Sequence, residues 1–307
     1  MLPRALNSLL AQTHTNWVCE LHNDDPSNPF PGQLAAQIGD PRVTYVPHSR
    51  NLGPIRTFDL AFRPVAEPFV SLLEDDNWWE PELLARLVSA ITQHPRVNVA
   101  WANAWLWSES QTGDWKQLQP IWPVAGEQDV TLFDGADPRQ ACRAIHSNTA
   151  MLLRVGDDTM FPSPEGMPFF AIEPIRERRY GRPLLLVREP LANFALTLES
   201  SRDETADQNM QVQVLLAQTF LAGSNFSDSF YRQMWDAAGG SRGHTQRALI
   251  VAAILAGRVT RVLRNARPAD LAVVAGWALR HPRRFAGLFT AGRKFPHVLE
   301  FLDRAKR

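Results

Sequence analysis

Ser71-Leu72-Leu73-Glu74-Asp75-Asp76-Asn77-Trp78-Trp79-Glu80-Pro81 decides how the chain reads. An apolar strand over residues 69–73 runs straight into three carboxylates, and Pro81 then opens a helix. Carboxylates at the carboxyl end of a buried strand stand where open α/β sheets bind their ligands. Side by side they repel and lose hydration, so they require a cation or a capping role. Hard oxygen ligands of this kind suit Mg²⁺ or Mn²⁺, which keep coordination positions open for substrate phosphate. The competing reading makes Asp76 or Asn77 a helix N-cap, a role that both residue types fill well.

Upstream, Leu2, Ala5, Leu6, Leu9 and Leu10 recur at helical spacing over residues 2–12. Residues 17–21 read as a strand that ends in the turn cluster His22-Asn23-Asp24-Asp25-Pro26-Ser27. A short helix over 34–38, a strand over 43–46, the turn Asn51-Leu52-Gly53 and a helix over 55–62 lead up to the acidic strand. A helix over 82–93 and a strand over 97–101 follow it. Strands separated by helices of this length predict a mostly parallel, right-handed, Rossmann-like α/β sheet flanked by helices.

In this order and spacing the residues resemble the family 2 glycosyltransferases, the nucleotide-diphospho-sugar transferases of GT-A fold. Leu6-Asn7-Ser8-Leu9-Leu10-Ala11-Gln12-Thr13 is similar to the family's helix ending S-L-L-x-Q-T. Asn23-Asp24-Asp25-Pro26-Ser27 resembles its D-D-G-S turn, Asn51-Leu52-Gly53 its N-x-G, and Leu73 to Pro81 its L-D-D-D-x-W-x-P. The ordered set, which ends before residue 95, is specific although no single motif is.

The resemblance implies transfer of a sugar, with inversion, from a nucleotide-diphosphate donor to a glycan, lipid-linked or protein hydroxyl, in cell-envelope polysaccharide synthesis. Asp76 is implied as the ligand of Mn²⁺ or Mg²⁺, with Asp75 and Glu74 shaping the metal and ribose surroundings. Asp25 would face the nucleotide base, and Asp24 would support that turn. Each role has a physical reason: a divalent cation stabilises the charge that grows on the leaving diphosphate, and carboxylates accept from base N–H groups and ribose hydroxyls. Taken alone, Asp24 and Asp25 could instead be an Asx-type turn before Pro26, and Gly53 a turn residue that permits positive φ. The implied catalytic base is Glu173, which follows the apolar run Phe169 to Ile172, with Glu165 and Glu177 in reserve. Pro174 stands where the family has a second acid, and the competing reading makes Glu173 a helix-start residue paired with Arg176 or Arg178. Arg176, Arg178, Arg179 and Arg182 could clamp a diphosphate or lie on a solvated helix face. Trp101, Trp105, Trp107, Trp115 and Trp122 suit an acceptor platform or plain packing, and His146 reads as a satisfied polar residue. A noncatalytic carbohydrate-binding or scaffolding relative is the alternative of a different class.

The expected organisation is a glycosyltransferase domain over 1–200 and a helical C-terminal region over 201–307. Helices are expected over 211–221, 245–263, 268–280 and 295–306. Residues 241–307 carry 14 Lys+Arg against 3 acids, a net of +11, so the first 240 residues carry 18 Lys+Arg and 29 acids, a net of −11. Arg258, Arg261 and Arg264 beside Ile254, Leu255, Val259 and Val262 predict a basic-edged helix on an anionic membrane surface, against a plain helical subdomain. No nucleic-acid reading module accompanies that charge. Two cysteines, Cys19 and Cys142, give neither a disulfide framework nor a zinc site, and no apolar run is long enough to span a membrane. The expected location is cytoplasmic, peripheral on the inner face of the membrane. Family members begin with a buried strand before the first helix, so a native start some 10–20 residues upstream of Met1 is expected, the length of a strand and its loop.

Overall fold

The computed structural model describes residues 1–124, 130–157, 159–164, 166–198, 206–223, 225–239 and 243–304. The chain divides into two units. The first comprises Met1–Asp134, His146–Pro162 and Tyr180–Ser201; the second comprises Gly135–Ile145, Ser163–Arg179 and Arg202–Arg307.

In the first unit α1 (Leu2–Leu10), β1 (Cys19–Asn23), α2 (Phe30–Ile38), β2 (Val43–Pro47) and α3 (Pro54–Asp59) precede β3 (Phe69–Ser71), which leads into the acidic turn. Then come β4 (Trp78–Trp79), α4 (Leu83–Gln93), β5 (Val99–Glu109), β6 (Trp115–Pro120), β7 (Val130–Phe133) and β8 (Met151–Arg154). In the second unit, α5 spans Ile172–Glu177; the first unit closes with β9 (Leu184–Leu196). β1 and β2 pair in parallel as a two-stranded sheet. The larger sheet has the order β3-β8-β5-β9-β4, with β6 on β5 and β7 on β9.

The α/β class and the helical C-terminal region are as the sequence predicts, but strand direction is not mostly parallel. Among the described residues only β1–β2 and β5–β9 pair in parallel; the other five pairings are antiparallel. The reason lies in β8. It runs antiparallel to both β3 and β5 and lies between them, so β3 and β5 share a direction without touching. The long strand β5 extends well past the predicted 97–101 because its first six residues are buried and its aromatic half continues the pairing with β9. Leu83, Leu87 and Ile91 of α4 pack with Ala100, Ala102, Leu185 and Ala192 in the core beneath this sheet. Leu9 and Trp79 join them, which seats α1 against the strand that follows the acidic turn.

The second unit continues with α6 (Ala206–Ala222), α7 (Asp228–Ala237), α8 (His244–Leu255), α9 (Val259–Asn265), α10 (Pro268–Arg280), α11 (Pro282–Leu288), α12 (Ala291–Lys294) and α13 (Pro296–Arg304). α6 buries Met210, Val214, Leu215, Leu216 and Leu221, together with the polar Gln211 and Thr219, so most of its circumference is covered. The single helix predicted over 245–263 is two helices, because Gly257 takes a left-handed φ of 66° and ends the first. The predicted basic stripe is therefore interrupted: Arg258 flanks α9, Val262 is buried, and Arg261 lies 3.5 Å from Asp228. Segments Gly135–Ile145 and Ser163–Arg179, placed by the sequence in the first domain, belong to this unit. Buried Glu177 ties the two segments together by accepting from Gln140 Nε2 at 2.5 Å and from the Ile145 N–H at 2.8 Å, and Arg178 ties them to α6 by donating to the Leu216 carbonyl at 3.3 Å. No helix among the described residues is long and apolar enough to cross a membrane.

Candidate active site

The four sequence motifs touch one another in pairs. In the first pair, α1 holds the acidic segment. Ser8 Oγ accepts the Trp79 N–H at 3.1 Å, Gln12 Nε2 donates to the Glu80 carbonyl at 2.8 Å, and the Thr13 N–H donates to the Pro81 carbonyl at 2.8 Å. Gln12 Oε1 also accepts the Leu84 N–H at 3.0 Å, so the first turn of α4 is satisfied from α1. The N-cap role weighed for Asp76 and Asn77 is thus filled elsewhere.

Asn77, only 2% exposed, closes the acidic turn. Its Nδ2 donates to Glu74 Oε2 at 2.7 Å and its Oδ1 accepts the Ala195 N–H of β9 at 2.9 Å. Glu74 therefore serves the turn directly, Asp75 is exposed and Asp76 is half-buried. Arg4 approaches from α1, donating through Nη2 to the Asp76 carbonyl at 3.1 Å with its guanidinium 3.6 Å from the Trp78 ring centroid and 4.7 Å from that of Trp115. Burial lowers the Arg4 pKa against the opposing pull of Asp76 and Glu109.

Mg²⁺ and Mn²⁺ are commonly held by one or two carboxylates, with substrate phosphate and water completing the shell. Among the described residues no three His, Cys, Asp or Glu side chains group to hold a metal. Asp75 and Asp76, adjacent on a rigid turn, fit the one-or-two-carboxylate arrangement. Cysteine chemistry is disfavoured, since burial pushes the Cys19 thiol up to about 11 and the Cys142 thiol up to about 12.

In the second pair, Asp24 at the end of β1 organises the loop after β2. Its Oδ1 accepts from the Leu52 N–H at 2.7 Å and stands 2.9 Å from His48 Nδ1, while Oδ2 accepts from the Gly53 N–H at 3.0 Å. Asn51 Nδ2 donates to the Asp24 carbonyl at 2.9 Å, reaching β1 rather than its own loop. Gly53 sits at φ 82°, a conformation side chains resist, just ahead of α3. Burial would raise the Asp24 pKa, yet the hydrogen bonds from His48, Leu52 and Gly53 outweigh it and lower it. Asp25 is exposed; its Oδ1 accepts the Ser27 N–H at 3.1 Å and the Ser27 hydroxyl at 2.6 Å.

Glu173 lies in the first turn of α5, half-buried beside buried Ile172, Pro174 and Ile175, and belongs to the second unit. The reserve Glu177 is committed to Gln140 and Ile145, and Glu165 lies outside the described residues. The arginines considered as a clamp serve structure. Arg176 is buried and donates to Ser163 Oγ at 3.2 Å, Arg178 donates to the carbonyls of Gln140 and Leu216, and Arg182 donates to the Phe133 carbonyl. His146 is buried with its ring 5.4 Å from Tyr180 and 6.5 Å from Trp101.

The comparisons agree with these motifs. Residues 1–147 match the family model described as "Glycosyl transferase family 2". This stretch is a family 2 glycosyl transferase domain. The solved structure of S. aureus TarS 1-349 in complex with UDP is 11% identical at a TM-score of 0.56, covering 90% of this chain and 88% of its own. S. aureus TarS 1-349 alone is 10% identical at a TM-score of 0.51, covering 99% of this chain and 86% of its own. At such identities the likeness concerns the fold, which is the GT-A fold. None of the curated proteins matches the chain. In the glycosyl transferase domain, the contacts that sequence reading missed are those of Arg4, His22 and His48. The histidines carry no motif, and only the β1–β2 register brings them together.

Proposed function

We propose that the protein transfers a sugar from a nucleotide-diphosphate donor to a hydroxyl acceptor, with inversion and with Mn²⁺ or Mg²⁺. The observation that carries this reading is the acidic turn after β3, locked by Asn77 to β9 and by α1 through Trp79, Glu80 and Pro81. Asp76, with Asp75 beside it, would hold the cation. A bound divalent ion would supply Lewis-acid stabilisation to the departing diphosphate. Glu74 keeps the turn closed through Asn77. Asp25 accepts from the nucleobase or ribose, and Asp24 acts through the 48–53 loop because its oxygens already serve protein donors. Glu173 is assigned as the base that takes the acceptor's proton. The acceptor is a glycan, lipid-linked or protein hydroxyl.

The basic helical region is proposed to rest on an anionic membrane surface. Support comes from α10 rather than from the interrupted stripe. Val273 and Leu279 are 57% and 82% exposed, and exposed Arg264, Arg280 and Arg283 make no described ion pair.

Thermal unfolding measured with Mn²⁺ and a panel of nucleoside diphosphates and nucleotide sugars tests the donor reading, since a ligand that binds the native state raises the midpoint. A shift with one nucleotide class, followed by consumption of its sugar donor, supports transfer. No shift and no consumption across the panel leaves the carbohydrate-binding or scaffolding relative as the reading.

A further inference from the structure

A line of titratable side chains runs behind the Asp24 turn. β1 and β2 are in parallel register with His22 opposite Val46, so His48, two residues further on, falls on the same side as His22. The rings meet through His22 Nδ1 and His48 Nε2 at 3.1 Å. At one end His48 Nδ1 stands 2.9 Å from Asp24 Oδ1; at the other, His22 Nε2 stands 2.9 Å from Glu20 Oε2. The result is a chain of three links, Glu20–His22–His48–Asp24.

Proton counting constrains it. Each link needs one N–H, and both terminal groups are acceptors when ionised. Two neutral imidazoles supply only two N–H groups. The three links are made together only when the pair carries one additional proton, and a fourth proton would set two N–H groups against each other at the central link. The pair therefore titrates as one unit with a singly charged middle state.

We propose that His48, backed by His22, is a positioning pair whose single shared proton completes the chain from Glu20 to Asp24 and so fixes the 48–53 loop that borders the donor nucleotide. The link to nucleotide binding rests on the proposed function; the shared proton does not. The groups facing the pair are Glu20 on β1, Asp24 at its end, and Arg63 after α3, whose Nη2 donates to Glu20 at 2.6 Å and 2.5 Å. From β2, the Tyr45 hydroxyl accepts from Asn23 Nδ2 at 3.1 Å. Burial, aided by the charges of His48 and Arg63, holds His22 below the ordinary histidine value despite Glu20.

Two measurements on the full chain test this. Long-range ¹H–¹⁵N NMR of the histidine rings, from pH 8.5 to 5, should show His22 and His48 changing together, with His48 keeping its Nδ1 proton throughout. Independent titration of the two rings, each insensitive to substitution of the other, overturns the proposal. Calorimetric binding of UDP and of GDP with Mn²⁺ supplies the second readout. For whichever nucleotide binds, affinity should rise about two- to tenfold on acidification from pH 8 to 6, the worth of one net hydrogen bond. His48→Asn, which can keep an N–H toward Asp24 without titrating, should bind with a flat pH profile; His48→Leu should bind more weakly at every pH. A flat wild-type profile overturns the positioning role. Failure of both nucleotides at every pH, beside coupled ring titration, would instead sink the donor reading.

Discussion

Asn77 Oδ1 accepts the backbone N–H of Ala195 at 2.9 Å while the same side chain donates to Glu74. One buried amide thereby joins the acidic turn to β9 and closes the turn on itself. Asn77→Ala should lower stability by about 1–3 kcal/mol, since it strands a buried N–H. Denaturant unfolding measures that loss, and donor affinity should fall with it. An Asn77→Ala protein with wild-type stability would show that the turn holds its shape by other means.

For Asp24 the sign of the pH effect follows from its lowered pKa. The group releases its proton more readily folded than unfolded, so its contribution to stability is present above the unfolded value of about 4 and is lost as pH falls through the lower folded one. The stability gap between wild type and Asp24→Asn should therefore narrow as unfolding is measured from pH 6 down to pH 2.5. A gap that stays constant over that range would contradict the assignment.

How much of this was legible varies with the kind of contact. The acidic turn, the Asn51-Leu52-Gly53 turn and α10, whose bounds Pro268–Arg280 match the predicted ones, are written in local sequence. Strand direction was not: β8 enters between β3 and β5, pairing with residues that lie 50–54 and 81–85 positions away in sequence. The helix expected over 245–263 runs across Gly257, whose left-handed φ ends α8. The second unit's claim on Gly135–Ile145 depends on Glu177, whose partners lie far off in the chain. Arg4 belongs to no motif, yet it stacks on Trp78.

Glu173 and Glu177 separate base from scaffold. Glu173→Gln should lower kcat by about 100-fold or more with donor affinity nearly unchanged. Glu177→Ala should cost about 1–3 kcal/mol of stability by stranding Gln140 and the Ile145 N–H. Steady-state kinetics beside thermal unfolding distinguishes them; a wild-type kcat in Glu173→Gln removes the base assignment.

On the membrane surface, binding to vesicles containing anionic lipid should weaken with salt and be lost in the double variant Val273→Asp, Leu279→Asp, which retains the buried face of α10. Equal binding to neutral vesicles, or no binding at low salt, would assign the basic charge to a solvated helical surface.

The central claim concerns Asp76. Consumption of the nucleotide sugar identified by the unfolding screen, followed with and without Mn²⁺ for wild type and Asp76→Asn, tests it most directly. The account predicts metal-dependent turnover in the wild type and its loss, with donor binding, in a variant that unfolds at the same temperature. Wild-type kinetics in Asp76→Asn with Mn²⁺ present would contradict it.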